Sequence, residues 1–205
     1  MYKKSELVKV TWSNFNKYTE KIYTEVQKYL KDNNLEVNIV APILRGGGIL
    51  GIQLALKFKV IRILPYQYKY LHKNNNTEII KVYTSNFKNL VKFNNKKPVI
   101  LVVEGNHSTG TIAKQVVSDI KKEFPNSRIL YVSLAKDYAY KDVVDVDFDS
   151  YGFLTNENRK LSKSECYKLK IKQNKVYIFP WESFEEELAG LNQTEFKYNN
   201  QEDFN

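Results

Sequence analysis

The stretch from Pro98 to Val117 constrains this chain more than any other. Val99 to Val103 is an unbroken β-branched and aliphatic run, the pattern of a strand buried on both faces of a parallel sheet. From Ile112 to Phe124 the apolar residues fall at Ile112, Val116, Val117, Ile120 and Phe124, which is helical spacing. Between them lies a short polar turn, Glu104 to Thr111. A strand that feeds a Ser-Thr-Gly-Thr turn and then a helix leaves several backbone N–H groups unpaired at the helix start. Those groups and the helix dipole favour a phosphate. An ordinary turn capped by the hydroxyl of Ser108 or Thr109 accounts for those two residues as well.

The remaining segments alternate in the same way. A short alternating run, Leu7 to Trp12, predicts an edge strand. Thr11 or Ser13 then caps a helix through about Lys31, with Phe15, Tyr18, Ile22, Val26 and Leu30 on one face. Val37 to Ala41 reads as a buried strand running into Pro42-Ile43-Leu44-Arg45 and three glycines, Gly46 to Gly48. A helix follows from Ile49 to Phe58. Consecutive glycines cost conformational entropy and let a backbone pass close to something. Arg45 beside them offers a fork of donors for phosphate oxygens.

Further strands are predicted at Val60–Pro65, Arg128–Leu134, Val143–Val146 and Lys175–Phe179. Residues 66–97 read as a flexible hairpin or a cover over the site, and Tyr151 to Lys172 as a polar, irregular insertion or loop within a hood segment at 150–182. A short acidic helix is predicted at Ser183–Leu188, and residues 191–205 as a polar tail. One domain over residues 1–190 accommodates the pattern, with no internal repeat. Alternating strands and helices predict an α/β fold, a twisted, mostly parallel sheet with helices on both faces. In such sheets ligands bind beyond the carboxyl ends of the strands. The glycine loop, the Glu104 turn, Lys136 and Pro180-Trp181-Glu182 all follow a predicted strand and so converge on one edge.

Composition narrows the function classes. Lys and Arg number 32 against 23 Asp and Glu, a net charge of +9. The lysines are spread along the chain, which suits a phosphorylated small molecule better than a dedicated nucleic-acid stripe. A single cysteine, Cys166, excludes an internal disulfide framework, and two histidines, His72 and His107, argue against a multi-histidine metal site. No apolar run approaches the ~20 residues of a membrane span, and no signal-peptide core follows Met1. A soluble, cytoplasmic protein is expected.

Over residues 8–188 the chain resembles a type I phosphoribosyltransferase, closest to the purine branch typified by xanthine-guanine and hypoxanthine phosphoribosyltransferases. Val102 to Thr111 resembles the phosphoribosyl-pyrophosphate signature, and Leu44-Arg45-Gly46-Gly47 the loop that holds pyrophosphate. Ala135-Lys136 resembles the segment whose lysine contacts the base, and Val176 to Glu182 the C-terminal hood that covers it. The resemblance implies transfer of phosphoribose from phosphoribosyl pyrophosphate to a purine-type base, with magnesium, in a homodimer.

It further implies a substrate site at Leu44, Arg45, Gly46, Glu104, Gly105, Asn106, His107, Ser108, Thr109, Gly110 and Thr111. Base contacts fall on Lys136, Val176 and Tyr177, and metal contacts on Glu104 and Glu182. Catalytic roles fall on Glu104, Arg45, Ser108 and, for proton transfer, His107, which otherwise reads as a solvent-facing loop histidine. Three departures stand out. Gly105 replaces the second acid of the signature, Ser108 replaces the acid linked to base deprotonation, and Val176 stands where an aromatic residue usually stacks, with Tyr177 beside it. A non-catalytic protein of the same fold, sensing nucleotide or phosphoribosyl pyrophosphate or binding RNA, is the alternative. Arg45, the glycine loop and Lys136 favour the transferase; Gly105 favours the sensor.

Overall fold

A computed structural model describes residues 2–73, 76–84, 97–140, 144–173 and 175–192. The main sheet has six strands: β2 (Ile39–Leu44), β3 (Tyr66–Lys73), β4 (Asn76–Thr84), β5 (Val99–His107), β6 (Arg128–Asp137) and β7 (Phe148–Thr155). Their spatial order is β4-β3-β2-β5-β6-β7. All neighbours pair in parallel except β3 and β4, which form an antiparallel hairpin. A second, two-stranded parallel sheet joins β1 (Leu7–Lys9) to β8 (Val176–Ile178). Leu7 therefore starts a strand as predicted, but one that belongs to the small sheet.

Successive side chains of the central strands feed two cores. On one face, α1 (Trp12–Asp32) and α2 (Gly48–Lys57) pack Phe15, Ile22, Val26, Leu50 and Leu54 onto Val40, Leu101, Val103 and Val132. On the other, α3 (Thr111–Glu123) packs Val116, Val117 and Ile120 onto Ile39, Ala41, Ile100 and Val102. Thr11 caps α1 by accepting from the Asn14 amide. Beyond β7, α4 (Lys163–Leu169) and α5 (Phe184–Leu191) flank β8. Trp181 ties this segment to α1 through edge contact with Phe15, at 5.2 Å between ring centroids.

Six expectations change. Residues 144–147 form no strand, the strand there being β7 from Phe148, and the segment predicted as irregular, Tyr151 to Lys172, holds most of β7 and the helix α4. Val60–Pro65 contributes a single bridge, Val40 to Ile63; the strand proper begins at Tyr66, after Pro65, which has no N–H for the ladder. Glu104 to His107 is not a turn. The β5–β6 ladder continues to the pair His107–Lys136, and the turn is only Ser108-Thr109-Gly110. No side chain caps α3; its N-cap is Gly110, in the left-handed region at φ +73°, so the capping role of Ser108 or Thr109 falls away. The start of the 66–97 excursion is anchored: the Tyr68 hydroxyl donates to Asp119 on α3, and Lys81 pairs with the same carboxylate at 2.5 Å. The covering role proposed for the rest, and the tail from 193 on, lie on residues outside those described. Among the described residues no helix is long and apolar enough to cross a membrane.

The glycine loop sits directly on β5. A Cβ on Gly47 would stand 2.2 Å from the Val103 carbonyl oxygen and 2.8 Å from that of Ile43. A Cβ on Gly105 would stand 2.7 Å from the Gly46 carbonyl carbon. Both contacts are backbone on backbone, so no rotamer change relieves them. Gly47→Ala should lower stability by about 2–4 kcal/mol, the upper range for overpacking, measured by denaturant unfolding; an unchanged midpoint would mean that the loop does not rest on β5.

Candidate functional site

The C-terminal ends of β2, β5 and β6 carry the predicted site. At the end of β2, Leu44, Arg45 and Gly46 lead into the loop, with a cis peptide between Leu44 and Arg45. The Arg45 guanidinium pairs with Glu186 on α5. Glu182 stands close by: a Cβ on Gly46 would be 4.0 Å from Glu182 Oε1. Its other oxygen accepts from the Phe179 amide at 2.8 Å. Burial, reinforced by the charge of Glu187, pushes the Glu182 carboxyl up to about 7. Burial also raises Glu187, while Arg45 draws it back.

At the end of β5 the side chains divide. Glu104 is nearly buried and accepts from the Tyr131 hydroxyl on β6. That hydroxyl is also 2.7 Å from His107 Nδ1, while His107 Nε2 donates to the Tyr140 carbonyl at 3.0 Å. Burial, then the Glu104 charge, drives the Tyr131 phenol well above its ordinary value. His107 is fully buried beneath Gly110. It is neither a solvent-facing loop residue nor placed for proton transfer to a ligand, because the continuing ladder turns it inward.

Asn106 donates to Glu157, in the segment after β7, at 3.0 Å, and its Oδ1 is buried with no hydrogen-bond partner among the described residues. Burial raises Glu157 to about 7, against the opposing effect of the Asn106 and Tyr177 amides. In the turn, Ser108 Oγ accepts a long bond from Asn158 at 3.4 Å, and the hydroxyls of Thr109 and Thr111 lie 2.8 Å apart. The first turn of α3 thus opens beside the loop with no side chain across its N-cap, the arrangement that accepts an anion.

Lys136 is buried at the end of β6 and paired with Asp149 on β7. Val176 is buried in β8 against β1 and stacks on nothing in the site; the alternating pleat turns it inward and Tyr177 outward. Tyr177 packs edge-on against Phe153, 4.8 Å between centroids. It lines a cavity that no other predicted site residue lines. Sequence reasoning missed Tyr131, Asp149, Glu157 and Glu186. A tyrosine inside the apolar run Ile129–Val132 and the acids that open α5 were the available signals; nothing local marked Glu157.

The magnesium expectation, an ion on the pyrophosphate oxygens met by Glu104 and Glu182, asks for no more than one or two protein carboxylates. Among the described residues no group of three or more His, Cys, Asp or Glu side chains is placed to hold a metal. Glu104 is held by Tyr131 and Glu182 by the Phe179 amide.

No family model and no curated protein matches the sequence. Solved structures do. A purine phosphoribosyltransferase from Pyrococcus horikoshii Ot3 superposes with a TM-score of 0.61 at 16% identity, over 87% of this chain and 95% of that one. The Helicobacter pylori xanthine-guanine-hypoxanthine phosphoribosyltransferase gives 0.56 at 15% identity, over 91% and 97%. A hypothetical protein from Neisseria gonorrhoeae with bound ppGpp gives 0.62 at 12% identity, over 91% and 97%. Likeness at such low identity speaks to architecture alone. The chain has the type I phosphoribosyltransferase fold.

Proposed function

We propose that this chain transfers phosphoribose from phosphoribosyl pyrophosphate to a purine-type base, releasing pyrophosphate. The observation that carries the reading is the uncapped start of α3 beside a glycine loop bearing Arg45. Backbone amides from Ser108 to Thr111 receive the 5′-phosphate. Arg45 and the loop amides hold the pyrophosphate as the C1′–oxygen bond breaks and the base nitrogen bonds to C1′. Glu104 faces the ribose hydroxyls once Tyr131 shares it. Lys136 reaches a 6-oxo group by exchanging Asp149 for it. Magnesium belongs to the substrate here, carried on the pyrophosphate oxygens. A homodimer is part of the reading: Ile52 and Leu56, one turn apart on α2, and Ile61 are exposed and suit a second copy.

A second reading, a nucleotide or phosphoribosyl-pyrophosphate sensor without turnover, is favoured by one contact. Gly105 lies so close to Gly46 that no side chain, and so no second signature acid, fits at 105 while the loop is seated.

Calorimetry of magnesium phosphoribosyl pyrophosphate, then of guanine, hypoxanthine and xanthine in turn, decides between them. The expected result is binding followed by nucleotide and pyrophosphate with one base; binding without product favours the sensor, and no binding overturns both. Arg45→Ala should weaken phosphoribosyl-pyrophosphate binding by on the order of tenfold or more, the worth of a charge-assisted hydrogen bond. Glu186→Gln should tighten it, because the guanidinium then loses its competing carboxylate.

The buried acids set a pH dependence. Glu157 titrates near 7 in the folded chain and near its ordinary value, 4.5, when unfolded. The folded state therefore holds a proton that the unfolded state releases. Stability is full below the unfolded value and falls as pH rises through about 7. Thermal melts between about pH 5 and about pH 8 should show a declining Tm, and Glu157→Gln should flatten that decline.

A further inference from the structure

We propose that the cavity between the start of α1, the edge strand β7 and the small β1–β8 sheet binds a nucleotide, a planar base carrying phosphate, at a site separate from the C-terminal edge. Its volume is about 390 Å³, within the range of small-ligand pockets. None of Arg45, Gly46, Glu104, Ser108 to Thr111 or Lys136 lines it. The inference does not rest on the transferase reading.

One wall is aromatic. Tyr18 and Phe153 lie 4.7 Å apart between centroids, and Phe153 and Tyr177 4.8 Å. A base has a π-face to stack on such a wall, and aliphatic solutes gain less there. The Tyr177 phenol is pushed up to about 12 by burial, so it stays neutral and keeps its proton for donation at any physiological pH.

The charged residues of the lining are all of one sign: Lys9, Lys21, Lys170 and Lys172, with no carboxylate among the lining residues. Lys21 is occupied structurally, donating to the Tyr151 carbonyl at 2.7 Å and standing 3.9 Å from Glu25. Lys170 and Lys172 are exposed at the rim. Lys170 closes α4 in the left-handed region, φ +55°, where glycine is the usual residue. The rim thus presents concentrated positive charge beside a stacking surface, the combination that recognises a phosphorylated base and neither a free base nor phosphate alone.

The test is a titration of the full chain with GMP, compared with guanosine and with inorganic phosphate, in the wild type, in Lys170→Glu/Lys172→Glu and in Arg45→Ala. The double variant should bind GMP at least tenfold more weakly while keeping its affinity for pyrophosphate; Arg45→Ala should show the reverse. GMP should also shield Lys170 and Lys172 of the wild type from acetylation, read by mass spectrometry, which requires no variant to fold. Four results would overturn the proposal: no GMP binding, GMP affinity unchanged in the lysine variant, phosphate alone binding as tightly as GMP, or loss of GMP binding in Arg45→Ala with no shielding of the two lysines. The last would place the nucleotide at the C-terminal edge.

Discussion

The contact on which the site depends involves no side chain. Gly46 and Gly47 press their backbone onto Val103 and Gly105 of β5, at separations that leave no room for a Cβ on Gly47 or Gly105. That contact sets where Arg45 emerges and brings the loop beside the start of α3. It also rules out a side chain at 105 while the loop is seated. Gly105 and the glycine run are therefore one feature, seen from the two sides of a single contact.

Around this backbone contact the polar side chains satisfy one another. Glu104 is held by Tyr131, Lys136 by Asp149, Arg45 by Glu186 and Asn106 by Glu157. Buried polar groups need partners, and each of these pairs supplies one, while Asn106 Oδ1 and Glu157 Oε1 stay buried with no hydrogen-bond partner among the described residues. Under the proposed function, ligand binding at this edge is an exchange of partners, with affinity set by the difference between internal and external contacts. The raised carboxyls of Glu157 and Glu182 mark where burial outweighs the available donors.

Much of the fold was legible because it rests on local pattern. The apolar run of β5, the helical spacing after it and the face of α1 bearing Phe15, Ile22, Val26 and Leu30 each specify an element with its buried side. Polar residues were less legible. Glu104 to His107 read as a turn because their side chains are polar, yet the ladder to β6 carries the strand through them. Val60 to Pro65 read as a strand from composition, yet neighbouring β2 takes up only one bridge there.

The sequence by itself determined the parallel sheet, its helical layers and the gathering of the glycine loop, the Ser108–Gly110 turn, Lys136 and Glu182 toward one edge, because strand and helix periodicities are local and connections between them are short. Only the tertiary structure decided which way those side chains turn and what they pair with. His107 turned inward, Val176 entered the small sheet, Tyr177 took a separate cavity, and Glu157 and Glu186 arrived from the far end of the chain. Side-chain direction at a strand end and pairing between groups distant in sequence depend on what packs against them, and no stretch of sequence contains that neighbour.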